Sequence, residues 1–130
     1  MTTDAASGCA GTILIIDDDE VLSDLLKRMV ERAGFEAMSV RSSEEALEIY
    51  HNRSAEISLV ITDLMLGGGS GRGLVQELLR VDPSARILVT TGFYDERDLA
   101  DLLECGAKGV ILKPFNSERL LEKIRAVLAN

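Results

Sequence analysis

Histidine occurs once in this sequence, cysteine twice and tryptophan not at all. Two cysteines, Cys9 and Cys105, make neither a disulfide framework nor a thiolate ligand set, and with His51 as the lone imidazole there are no donors for a zinc site. No apolar run approaches the roughly 20 residues that a bilayer span requires, which speaks against membrane insertion. The opening residues, Met1 to Gly11, are small and polar, without the basic start and long apolar core of a secretory signal. A cytoplasmic protein with a flexible N-terminal tail over 1–11 is the expectation. Basic residues are the minority, fourteen against twenty-two acidic, and the formal charge of -8 repels phosphate backbones. Direct nucleic-acid binding is therefore disfavoured, and a protein partner is expected.

What is present suits one compact domain. The 130 residues are 46 % hydrophobic and 28 % charged, an ordinary globular balance, and the length leaves no room for a second core. Short apolar runs, rich in β-branched residues, fall at Thr12 to Ile16, Phe35 to Val40, Leu59 to Thr62, Ile87 to Thr91 and Gly109 to Leu112. They predict five strands. Between them apolar residues recur at helical spacing: Val21, Leu22, Leu25, Leu26, Met29 and Val30 in one stripe, Leu74, Val75, Leu78 and Leu79 in another. Leu120, Leu121, Ile124, Val127 and Leu128 make a third, while the segments around Glu45 and from Leu99 to Leu103 carry sparser helical patterns. Ser42 with Glu45 reads as a capping box, and Gly34 and Gly106 stand where helices end. Strict alternation of apolar strand and helix predicts an α/β fold, a parallel sheet with helices on both faces.

Ligands of such sheets bind beyond the carboxyl ends of the strands. There the first strand ends in Asp17, Asp18 and Asp19, the third in Asp63, the fourth in Thr91 and the fifth in Lys113 followed by Pro114. Singly, each has an ordinary role: an acidic run opening a helix, a turn-capping aspartate, a strand threonine, a surface lysine. Together they place several carboxylates in one crevice, where they repel unless a cation or a lysine neutralises them. A hard-oxygen cluster of this kind suits Mg²⁺. A carboxylate beside such a metal can attack phosphorus in line, with the lysine and the metal offsetting charge on the phosphoryl oxygens. Asp63 is the candidate nucleophile.

These residues, in this order, resemble the receiver domain of two-component response regulators. The resemblance covers nearly all of Thr12 to Leu128 and rests on Ile13 to Asp19, Leu59 to Leu66, Gly71 eight residues after Asp63, Thr91 with Gly92, and Gly106 to Phe115. It implies a flavodoxin-like sheet of order 2-1-3-4-5 with a receiver domain over 12–130. It further implies Mg²⁺ bound directly by Asp18 and Asp63, through water by Asp17, and by the carbonyl of Met65. Thr91 and Lys113 would hold a phosphoryl group on Asp63, and the Lys113 to Pro114 bond would be cis. The implied donor is a sensor histidine kinase or a histidine phosphotransfer protein, and the implied output is a switched contact with a downstream protein, not an enzymatic product. His51, in a surface helix pattern, is not that donor.

Three departures stand out. Gly67 replaces the family's usual proline within a run of glycines to Gly73, which predicts an unusually pliant loop. That run lacks a Walker lysine and fits no Gly-x-Gly-x-x-Gly pattern, so it is not read as a nucleotide cradle. Val110 stands three before the lysine, where the family usually has an aromatic. A competing reading is a small haloacid-dehalogenase-like phosphatase with Asp17 as nucleophile, suggested by Asp17, Asp19 and Val21. Neither a following acidic pair after the lysine strand nor a cap domain supports it.

Overall fold

The computed structural model describes residues 11–66, 69–92 and 96–129. Five strands and five helices alternate: β1 (Thr12–Ile16), α1 (Glu20–Arg32), β2 (Glu36–Val40), α2 (Ser43–Arg53), β3 (Ile57–Asp63), α3 (Gly71–Val81), β4 (Ile87–Thr91), α4 (Glu96–Cys105), β5 (Gly109–Leu112) and α5 (Ser117–Leu128). The strands are parallel throughout, in the order β2-β1-β3-β4-β5, which is the flavodoxin-like order expected.

The apolar runs form the centre of the sheet because successive side chains point to opposite faces and both faces are covered. In β1, Ile13 and Ile15 join Leu26 and Val30 of α1 and Leu120, Ile124 and Val127 of α5 on one side. Leu14 and Ile16 join Ala46 and Tyr50 of α2, Leu74, Val75 and Leu78 of α3, and Leu102 of α4 on the other. The sheet thus lies between a two-helix layer and a three-helix layer.

Helix ends follow the punctuation in the sequence. Asp19 caps α1, its Oδ1 accepting from the N–H groups of Val21 and Leu22. Ser42 caps α2, its hydroxyl accepting from the Glu45 N–H and donating to the Glu45 carboxylate, so the expected Ser–Glu pairing forms through the two side chains and not through the Ser42 backbone N–H of a full capping box. Gly34 and Gly106 have φ of +99° and +114°. At each, two backbone bonds close the helix: Gly34 N–H to Glu31 and Phe35 N–H to Val30, Gly106 N–H to Leu103 and Ala107 N–H to Leu102. This left-handed closure needs the missing Cβ.

The structure revises the sequence reading in three places. Strand β3 starts at Ile57 and ends at Asp63, longer at both ends than the apolar run alone. A short antiparallel pair, Met65–Leu66 with Gly69–Ser70, follows it, too brief to leave a periodic signal. The glycine run is not one loop: Gly71 and Gly73 lie in α3, held there because Leu74, Val75 and Leu78 bury fully against the sheet and override glycine's low helix propensity. Gly67 and Gly68 lie outside the described residues, as does 1–10 of the expected N-terminal tail; Gly11 accepts a backbone bond from Glu36 N–H.

Candidate functional site

In the strand order found here the chain turns back on itself between β1 and β3, and a crevice opens beyond their carboxyl ends. Backbone pairing continues past the strands into that crevice and sets its rim: Asp17 N–H bonds Val40, Leu64 N–H bonds Thr90, and Lys113 N–H bonds Thr91 at 2.7 Å. Each side chain singled out from the sequence therefore leaves a rigid edge.

Asp17, Asp18 and Asp63 come together, each offering a carboxylate oxygen within 4.8 Å of the others. Their environments differ sharply. Asp17 is only 1 % exposed, Asp63 is also buried, and Asp18 faces solvent. Lys113 reaches in from the end of β5, with Nζ 3.1 Å from Asp63 Oδ2 and 3.8 Å from Asp17 Oδ2. The first is a hydrogen-bonded ion pair; the second is an attraction without a hydrogen bond. Asp63 Oδ1 accepts from the Met65 N–H at 3.1 Å, which draws the backbone of residue 65 to the carboxylate, while the Met65 side chain is exposed. Thr91 is buried at the end of β4, and the Lys113 to Pro114 peptide is cis, as the resemblance implied.

Electrostatics single out Asp17. Burial pushes its carboxyl above the usual carboxylate range, and the Asp63 charge adds to this, against the opposing pull of the Asp19 N–H and the Lys113 ammonium. One oxygen, Oδ1, accepts from Asp19 N–H at 2.9 Å; the other, Oδ2, is buried without a hydrogen-bond partner. A buried carboxylate oxygen without a hydrogen-bond partner, in a residue of an acidic cluster, suits a cation-binding position. All donors are hard oxygens, the set that Mg²⁺ or Ca²⁺ accepts.

Two residues were not distinguished by sequence. Asp19, third in the acidic run, belongs to the helix cap and not to the cluster, which also removes it from the phosphatase-like pairing with Asp17. Thr90, directly beside Asp63 in the β3–β4 register, is buried with a hydroxyl that has no hydrogen-bond partner. Only the strand register separates its place from that of Thr91. Val110 is half-buried and packs against the three-helix side of the core.

Residues 13–125 match the family model of the response regulator receiver domain. The sensory transduction protein RegX3 of Mycolicibacterium smegmatis is 36 % identical over 117 residues, covering 90 % of this chain and 50 % of that protein. The chain thus spans about half the length of the curated relatives it matches. A response regulator from Burkholderia pseudomallei, solved with a phosphorylated aspartic acid, a calcium ion and citrate, superposes with a TM-score of 0.81 at 31 % identity, over 92 % of this chain and 69 % of that one. The CheY of a CheX-CheY-BeF₃-Mg²⁺ complex from Borrelia burgdorferi gives a TM-score of 0.88 at 25 % identity, over 92 % and 90 % of the two chains. With the fold shared and the family model matched over almost the whole chain, the chain belongs to the receiver domains of two-component response regulators.

Proposed function

We propose that residues 12–130 act as a phosphoacceptor switch in which Asp63 takes a phosphoryl group from a phosphohistidine of a partner histidine kinase or phosphotransfer protein. The observation that carries this reading is the Asp63 carboxylate, held between the Lys113 ammonium at 3.1 Å and the Met65 N–H at 3.1 Å, beside the Asp17 and Asp18 carboxylates. An Asp63 oxygen forms the new bond to phosphorus as the bond from phosphorus to the donor imidazole nitrogen breaks, and the electron pair returns to that imidazole. Lys113 exchanges its bond to the carboxylate for one to a phosphoryl oxygen. Thr91, at the end of the adjacent strand, offers a hydroxyl to another.

Asp18, Asp63 and the Met65 carbonyl would hold Mg²⁺ directly, with Asp17 behind them through water. Bound there, the metal offsets the charge of the carboxylates and of the transferring phosphoryl group. The buried Asp17 oxygen without a partner supports this donor set. The relative solved with a phosphorylated aspartic acid and a calcium ion, and the one solved with BeF₃ and Mg²⁺, support the chemistry. Signal output would then be a changed contact with a downstream protein. A cytoplasmic setting fits: no helix of the described residues is long and apolar enough to cross a membrane.

Incubation with acetyl phosphate and Mg²⁺, followed by borohydride reduction and mass spectrometry, tests the assignment. The label is expected on Asp63 and is expected to vanish in Asp63→Asn. A label on Asp17, or labelling retained in Asp63→Asn, overturns it.

A further inference from the structure

Thr90, next to last in β4, is 1 % exposed, and its hydroxyl has no hydrogen-bond partner. Buried Thr62, by contrast, donates to the Asp63 carbonyl oxygen at 3.2 Å. A hydroxyl taken out of water without a partner destabilises the folded chain, so an idle one beside reacting groups calls for a physical reason.

Strand register fixes where that hydroxyl lies. In a parallel sheet, paired residues share a face and successive residues alternate between faces. Thr90 pairs with Asp63 on one side and with Ile111 on the other. Ile61 and Leu88, two residues before Asp63 and Thr90, belong with Ile111 to the α1–α5 side of the core. Thr90 and Asp63 therefore face that side together, and Asp17, two residues after Ile15, follows them. Lys113 starts from the end of β5 and brings Nζ to 3.1 Å from Asp63 on β3, so the pair spans two strand spacings, roughly 9–10 Å. The lysine side chain thus passes over β4, where Thr90 stands in the same row as Asp63. Its hydroxyl is placed between an anion and a cation.

A threonine hydroxyl carries one hydrogen to donate and two lone pairs to accept. It can serve both neighbours at once, but at rest Lys113 bonds Asp63 directly and leaves it idle. We propose that Thr90 is a positioning residue for phosphoryl transfer: when Lys113 turns to the phosphoryl group, the Thr90 hydroxyl accepts from its ammonium and donates to the Asp63 side chain. The ammonium is then held over the phosphoryl oxygen and kept from falling back onto the carboxylate. This role rests on Asp63 as the phosphoacceptor and is separate from that of Thr91, whose hydroxyl goes to the phosphoryl group itself.

Thr90→Val keeps the branched shape and removes the hydroxyl. Its unfolding midpoint in chelator should rise by about 3–6 °C, because an unsatisfied buried group is gone. Its rate of acetyl-phosphate labelling on Asp63 in Mg²⁺ should nevertheless fall about tenfold, equal to about 1.4 kcal/mol, the scale of one hydrogen bond. Thr90→Ser restores the hydroxyl and should label within about twofold of wild type. In a Lys113→Gln background the loss caused by Thr90→Val should shrink below about twofold, since the hydroxyl acts through the ammonium. A lower midpoint for Thr90→Val would show a hydroxyl already partnered at rest and overturn the proposal. So would labelling of Thr90→Val at the wild-type rate, an equal loss in Thr90→Ser, or an undiminished loss without Lys113. If wild type itself is not labelled on Asp63, the phosphoacceptor role falls as well; if wild type is labelled and Thr90→Val keeps pace with it, only the role of Thr90 falls.

Discussion

Replacing Asp17 by asparagine should make the metal-free protein more stable while abolishing its response to Mg²⁺. At 3.8 Å from Lys113, with an effective dielectric of about 20, the Asp17 charge gains about 4 kcal/mol. Repulsion from Asp63, with carboxylate oxygens within 4.8 Å, costs at least about 3.5 kcal/mol on the same scale. The two nearly cancel, and solvent weakens the further repulsion from exposed Asp18. What is left is the burial of an ionised group with one oxygen unsatisfied, roughly 1–3 kcal/mol. The sign agrees with the raised carboxyl of Asp17, for which burial is the largest cause. Asparagine keeps an oxygen to accept from the Asp19 N–H and removes the charge. Thermal unfolding in chelator should therefore show Asp17→Asn melting a few degrees above wild type, roughly 3–8 °C for about 1–2 kcal/mol. Titrating Mg²⁺ should then reverse the order, because wild type gains about 2.7 kcal/mol at a hundredfold excess over its dissociation constant and the variant gains little. A lower midpoint for the variant in chelator, or parallel Mg²⁺ responses, would refute the reasoning.

Tyr50 is buried in α2 and its hydroxyl donates to Asp82 at 2.8 Å, beside the two bonds that Asp82 accepts from Ser84. Tyr50→Phe should cost about 1–2 kcal/mol near pH 7 in chemical denaturation. Ser84 first and Tyr50 second hold the Asp82 carboxyl below its usual range, so this stability is present above the ordinary carboxylate value and fades as pH falls through the depressed one. The gap between variant and wild type should shrink as pH falls below the ordinary carboxylate range; a constant gap would separate the bond from the charge. At the helix ends, Gly106→Ala should destabilise by about 2–3 kcal/mol and Gly34→Ala by about 1. Both glycines have positive φ, but only at Gly106 would a Cβ meet Leu79, at 2.5 Å; equal losses would remove the steric contribution. Beryllofluoride should shift the amides of Thr91 and Gly92 and leave Val110 nearly unmoved, because a valine with one stiff χ1 cannot swing as an aromatic ring does. Large shifts centred on Val110 would show the opposite route.

Much of the fold could be read from local pattern. Continuous β-branched runs marked β1, β3 and β4 because a strand covered on both faces needs no polar side chain, and the stripes of α1, α3 and α5 showed one buried face each. The sparser α2 and α4 segments also fold as helices, α2 burying only Ala46 and Tyr50, which is why its period was faint. Asp17, Asp18, Asp63, Thr91 and Lys113 were legible as strand-end residues. Their separate characters were not. Whether an aspartate is buried, exposed or spent on a helix cap depends on what packs above it, and Asp17, Asp18 and Asp19, adjacent in sequence, have one fate each. The hydrogen bond from the Met65 N–H to Asp63, the place of Thr90 beside it and the start of α3 inside a glycine run are likewise tertiary outcomes. Local sequence determined which segments become strands and helices, because periodicity and caps act within a few residues. Only the assembled sheet decided which charges share one dielectric environment, because that depends on neighbours 46 to 96 positions apart, as Asp17, Asp63 and Lys113 are.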